Sequence, residues 1–146
     1  MTLLTLFSGE PRHFALLRTA RDLLDRGDYQ FTVVAAQTAC EVYVEVALSE
    51  LLRRRPEFGP LGEVIPDLLT SYSLMDGRGR RVFAALTGHR VSDADFWPNY
   101  RLHVERRNRV VHRGDPVTRD EAFGSLGAVE SLFAYVAEAW TAGVAR

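Results

Sequence analysis

Apolar residues recur at intervals of three and four along almost the whole chain, the repeat expected of helices packed on one face. The pattern predicts a first helix over about 10 to 26, with Ser8 as N-cap, Pro11 in its first turn, and Phe14, Leu17, Arg21 and Leu24 in register. Gly27-Asp28 ends it and opens a second, roughly 29 to 54. That helix is apolar on most sides (Phe31, Val34, Ala35, Val42, Val46, Leu48, Leu52), which places it at the centre of a bundle. Arg53-Arg54-Arg55 offsets its C-terminal dipole before Pro56 stops it. The pattern is weakest from 57 to 92, where Glu63–Leu74 and Arg80–Leu86 each read as a short helix around an Asp76-Gly77-Arg78-Gly79 turn.

Downstream the pattern sharpens. Asp93 or Asp95 can cap a helix that carries Phe96, Trp97, Tyr100, Val104 and Val111, with Pro98 tolerated in its first turn. Gly114 suits the position just past its end, and Asp115-Pro116 prevents continuation. The last helix opens with Thr118-x-x-Glu121, a capping box. It then carries Ala122, Phe123, Leu126, Val129, Phe133, Val136 and Trp140 as one stripe. Strand signals are nearly absent. The expected fold is all-α, an antiparallel bundle of four long helices plus a short helical insertion.

The chain has 146 residues, which fits a single domain, 1–146, with one sizeable core. A net charge of −1 excludes a global pull toward nucleic acid or membrane, so any such attraction is local. Cys40 is the only cysteine. No disulfide framework follows, and the apolar run around it suits a buried, inert thiol. Met1–Phe7 is apolar but too short to span a bilayer and lacks a basic flank, so no signal peptide and a cytoplasmic location are expected. All 18 cationic side chains are arginines, planar forks suited to phosphate.

The candidate chemistry sits on the penultimate helix. From Arg101 to Arg113 there are five arginines and one glutamate, a local charge of +4. Asn108 shares the stripe of Trp97, Tyr100, Val104 and Val111 by helical spacing, and lies one turn before His112. Arg107 lies about 100° to one side of it. Polar groups that interrupt a packing face need partners or an opening to solvent. A cleft or a subunit seam meets that need.

Arg107-Asn108-Arg109-Val110-Val111-His112 resembles the Arg-polar-x-x-x-His signature of HEPN domains. The Ala20–Leu24 … Gly27-Asp28-Tyr29 hairpin and the Ala36–Glu41 stretch of the second helix are similar too, and the resemblance covers most of the chain outside 57 to 92. It implies a HEPN-like bundle whose two protomers form a homodimer around one cleft and cut RNA without a metal or other cofactor. In such a site Arg107, His112 and Asn108 are the catalytic groups. Arginine forks onto the scissile phosphate as charge builds. Histidine takes the 2′-OH proton or protonates the leaving oxygen, leaving a 2′,3′-cyclic phosphate. Arg106, Arg109, Arg113 and His103 are the expected substrate-binding groups, His103 having a satisfied structural histidine as its rival reading. Glu41 either supports the motif or forms a structural ion pair. The resemblance also implies a toxin, defence or stress effector with an antitoxin or regulatory partner. The alternative is a catalytically silent module that binds RNA, nucleotide or protein, and a third is a motif that only fixes dimer register. In members silenced by a nucleotidyltransferase, a Tyr lies two residues beyond the His. Here that place is Gly114, which does not support such control.

Other signals fall away. Gly77-Arg78-Gly79-Arg80 lacks the Lys-Ser/Thr of a phosphate loop. Asp93-x-Asp95 lacks further calcium ligands. His13, His89, His103 and His112 show no two-histidine spacing for a metal. Trp97, Tyr100, Phe123, Phe133 and Trp140 read as core or interface aromatics.

Overall fold

The computed structural model describes residues 10–69 and 73–144. Its helices are α1 (Arg12–Asp25), α2 (Tyr29–Arg53), α3 (Ile65–Leu69), α4 (Gly77–Thr87), α5 (Trp97–Arg113) and α6 (Arg119–Val144), with 3-10 turns at Pro56–Leu61 and Val91–Asp93. No strand occurs among the described residues. α1 and α2 form a tight hairpin through Gly27, whose φ of +83° is one that residues with a Cβ rarely adopt. α5 and α6 form a second hairpin through Gly114, at φ +65°. The predicted capping box is present: Thr118 N–H donates to Glu121 Oε2 at 2.9 Å and Glu121 N–H to Thr118 Oγ1 at 3.2 Å.

α2 is the axis of the molecule and packs against α1, α6, α5 and α3. By length and hydropathy it is also apolar enough to cross a membrane, but more than half of that stretch is buried inside the protein. Its apolarity is thus used by the core. Tyr43 on α2 meets Phe133 of α6 at 4.3 Å and His13 of α1 at 4.7 Å between ring centroids. Arg21 on α1 also pairs with Glu130 on α6 at 2.9 Å. Along α6, Ala122, Leu126, Val129, Phe133 and Val136 are buried as their spacing predicts.

Several boundaries and faces differ from the sequence pattern. The cap expected at Ser8 lies outside the described residues, and Pro11 stands at the N-cap of α1. The buried face of α1 is His13, Leu17 and Ala20, which leaves Phe14 largely exposed. Phe31 and Phe123, expected in packing faces, are 66% and 68% exposed. Both lie near the starts of their helices, on the exposed side. The expected helix Glu63–Leu74 shrinks to α3, with 70–72 outside the described residues and Leu74 in a turn.

The Asp76–Gly79 turn is instead the start of α4, because Asp76 caps it by accepting from Arg78 N at 2.9 Å. Neither Asp93 nor Asp95 caps α5. Phe96 is its N-cap residue without a side-chain bond. The 3-10 turn leads straight in, with Trp97 N donating to Ala94 O at 3.0 Å.

Gly79 is buried where the chain doubles back, and a Cβ there would run into the carbonyl oxygen of Ser73. At Gly77 a Cβ would meet nothing closer than 3.9 Å. Gly79→Ala is therefore expected to lower stability by about 1–3 kcal/mol, while Gly77→Ala changes it by less than about 1 kcal/mol. Urea unfolding of the two variants checks this, and equal midpoints would contradict the close approach.

Candidate functional site

The site is organised around a polar contact inside the core. Gln37, on the face of α2 that meets α5, is buried. Its Oε1 lies 3.0 Å from His103 Nε2 and accepts from Tyr100 O–H at 3.4 Å, while Cys40 Sγ lies 3.3 Å from the same hydroxyl. With Oε1 as acceptor, His103 carries its proton on Nε2 and Nδ1 is a bare lone pair without a partner. The Gln37 amide N–H then donates to Glu41 Oε1 at 3.1 Å.

Each group is in the state its surroundings favour. Burial first, then the charges of Arg106 and Arg107, push the His103 pKa down to about 3. Burial likewise raises the Cys40 thiol to about 12 and the Tyr100 hydroxyl well above its usual value. All three are neutral, as a dry interior demands. Cys40 is thus the inert thiol its setting suggested.

From this core the chain of contacts runs outward. Glu41 Oε1 lies 3.8 Å from Arg107 Nη2, and Arg107 Nη1 donates to Asn108 Oδ1 at 3.1 Å. Of the two roles expected of it, Glu41 shows the ion pair, with the motif's own arginine, and makes no hydrogen bond to it. Arg107 is held at the rim between α2 and α5, its side chain 31% exposed. Asn108 and His112 are exposed.

The sequence stripe of Trp97, Tyr100, Val104, Asn108 and Val111 is thereby corrected. The buried face of α5 is Trp97, Tyr100 and His103, and Val111 is 50% exposed. Gln37 and Cys40 supply partners for the tyrosine and the histidine, which rolls the helix inward on that side.

The expected substrate-binding residues separate. His103 is fully buried and faces Gln37, away from the surface strip. Arg106 turns toward α6, where its Nη1 donates to Glu121 O at 3.0 Å and to Ser125 Oγ at 2.6 Å. Both therefore hold helices together. Arg109 and Arg113 stay exposed, Arg109 with Asp115 at 3.7 Å. The end of α5 is pinned to α2 by Gln30, whose Nε2 donates to Gly114 O at 3.0 Å and Asp115 O at 2.6 Å. Phe31, Val111 and Phe123 leave apolar surface at this same end. Sequence reasoning missed Gln37, although its Gln-x-x-x-Glu spacing with Glu41 was a readable signal. It also missed a basic pocket on α4.

The neutral histidine gives a pH dependence. An unfolded imidazole binds a proton near pH 6.5, whereas folded His103 binds one only near 3. Between these values the unfolded state holds the extra proton, so stability falls as pH falls. The slope approaches about 1.4 kcal/mol per pH unit for each such group. Burial lowers His13 in the same direction. His103→Gln, which keeps an N–H for Gln37, is expected to flatten urea-unfolding stability between about pH 6.5 and 4.5. An unchanged slope would assign the effect elsewhere.

Comparison of the chain with family models, curated proteins and solved structures finds no match.

Proposed function

We propose that this chain is a HEPN-type domain acting as a metal-independent endoribonuclease, in a homodimer that pools residues from two protomers at one cleft. In this reading it is a cytoplasmic effector of a toxin, defence or stress system, restrained by an antitoxin or regulatory protein. The supporting observation is the arrangement at the end of α5. Arg107 is braced by Glu41 and Asn108, and exposed His112 follows at an end that carries exposed Phe31, Val111 and Phe123. Arg107 and His112 leave the helix about 140° apart, with Val111 between them. One protomer does not converge them on a single phosphate. A second copy seated on the apolar end would supply the opposite member of each pair.

The chemistry follows from the residue types. Braced Arg107 offers a fork to the scissile phosphate and opposes the charge that develops on its oxygens. One His112 removes the 2′-OH proton. The hydroxyl oxygen attacks phosphorus, and the bond to the 5′-oxygen breaks as the other His112 protonates it. The products are a 2′,3′-cyclic phosphate and a 5′-OH end. Asn108 orients Arg107 through its carbonyl oxygen.

A second reading is a silent module that binds RNA, nucleotide or protein. The pairing of Arg107 with Glu41 favours it, since that arginine already has an anion.

Incubation with single-stranded RNA in EDTA separates the two. Cleavage with cyclic phosphate ends is expected, and Arg107→Ala and His112→Ala should each reduce it by about 100-fold or more. Helix content and dimer mass should stay unchanged. An intact protein that binds RNA without cutting it would leave the silent module, and activity lost to chelator would sink the metal-independent mechanism.

A further inference from the structure

Gly77-Arg78-Gly79-Arg80 lacks the Lys-Ser/Thr of a phosphate loop, but the segment from 77 to 92 forms a second basic surface by another route. α4 and the stretch leading into the second 3-10 turn enclose a shallow pocket of about 260 Å³, whose wall includes Arg80, Arg81, Arg90 and Ser92 and no acidic residue. Arg80 is fixed in place. Its Nη1 donates to Leu74 O at 3.0 Å and Met75 O at 2.8 Å, and its guanidinium lies 5.8 Å from the centre of the Trp97 ring. Its Nη2 faces Gly77 at the pocket wall, where a Cβ would lie 3.9 Å away. The Arg81 side chain is exposed and makes no hydrogen bond or ion pair among the described residues. Arg90 is exposed and meets Asp93 only at 3.9 Å through Nε. An exposed pair at that distance contributes little, so the guanidinium remains open to a stronger anion. Ser92 adds an exposed hydroxyl.

The pocket is aligned with the candidate site. Trp97, against which Arg80 rests, opens α5 at the edge of its buried face, and exposed Arg101, Asn108 and His112 follow along the helix, seven and four residues apart from one another. Those spacings keep the three exposed residues on one face of a helix. The pocket therefore stands near the start of a helix whose exposed face runs through Arg101 to His112, with Asp93 and Asp95 near its start and Glu105 and Glu41 as acidic neighbours farther along. Trp97 to His112 spans about 22 Å at about 1.5 Å per residue. At about 3.4 Å per nucleotide of stacked strand, that is six or seven nucleotides.

We infer that the Arg80–Arg81–Arg90 pocket is a phosphate-binding station for the RNA strand, holding a backbone phosphate six or seven nucleotides from the one at His112. The inference rests on the nuclease reading for what lies at the far end of that face, and it adds where the strand runs. Arginine forks suit the role because a phosphodiester presents two unesterified oxygens to a planar donor pair. Contacts of this kind carry no sequence information. They add affinity and register, and they weaken with salt.

The test measures binding separately from cutting. A roughly twelve-nucleotide 2′-O-methyl RNA, which lacks the attacking hydroxyl, and a trinucleotide of the same chemistry are titrated against the full chain and Arg81→Ala/Arg90→Ala. The variant is expected to bind the long strand roughly tenfold more weakly, with a log–log salt slope shallower by about 0.7 for the one phosphate released. Its affinity for the trinucleotide and its helix content should match the wild type. Long-strand affinity equal to wild type overturns the station, as does an equal loss for both lengths. A variant that loses inorganic phosphate binding while holding the long strand normally also overturns it, leaving a free-anion site. The two readings fail separately. Long-strand binding that needs Arg81 and Arg90 in a protein that cuts nothing refutes the nuclease alone. Cutting with indifferent strand binding refutes the station alone.

Discussion

Gln37 sits in the middle of α2 with almost no access to water, so its amide has to be satisfied from within. Tyr100 and His103 provide two hydrogen bonds and Glu41 a third. Tyr100 and His103 are consecutive positions on one face of α5. The amide therefore sets how α5 is rolled about its axis, a registry that apolar contacts alone specify loosely. Everything at the surface of α5 inherits that roll. Asn108 and His112 are turned to solvent, Arg107 is left at the rim, and Arg106 is aimed at α6.

The arginines of α5 read in the sequence as one basic strip, but they do two kinds of work. Arg106 spends its donors on Glu121 O and Ser125 Oγ, and its Nε is left without a partner. Arg107 is divided between Glu41 and Asn108. Only Arg101, Arg109 and Arg113 remain exposed surface charge. The surface field of α5 is thus weaker than its formal charge suggests. The arginines of the α4 pocket add cations near the point where α5 begins.

The helices themselves were legible because their signals are local: the 3–4 repeat, the Thr118–Glu121 box, Gly27 and Gly114. α1 and α2 fall within a residue or two of their expected ends for this reason, and α6 begins where its capping box predicts. The faces were less legible. Helical spacing puts Asn108 with Tyr100 and Val104, but spacing does not say which polar residue finds a partner across a helix interface. His103 precedes Arg107 by one turn, which offered it as a substrate group beside the favoured reading of a satisfied histidine, and Gln37 makes it the latter. Phe31 and Phe123 kept to the apolar stripes, yet each lies near a helix start on the exposed side. From 57 to 92, isolated caps and glycines decide the path. Asp76 turned an expected loop into the start of α4, and that brought Arg80 onto Trp97.

Stability and the candidate chemistry are coupled by this construction. A proton on His103 would place a third positive charge among Arg106 and Arg107 in a dry interior. It would also add a donor at Nδ1, which has no acceptor. The Gln37 contact that holds α5 in its roll would then weaken. Arg107 is braced by Glu41, and Glu41 is held by the Gln37 amide. A disturbance at the core histidine thus reaches Glu41 through two hydrogen bonds and the rim arginine through one further ion pair at 3.8 Å. Exposed His112 depends on the same roll, and the Gln30 clasp on Gly114 and Asp115 fixes only the end of its helix. The buried amide therefore acts as the support of the surface site, and residues that never touch a substrate decide where its arginine and histidine stand.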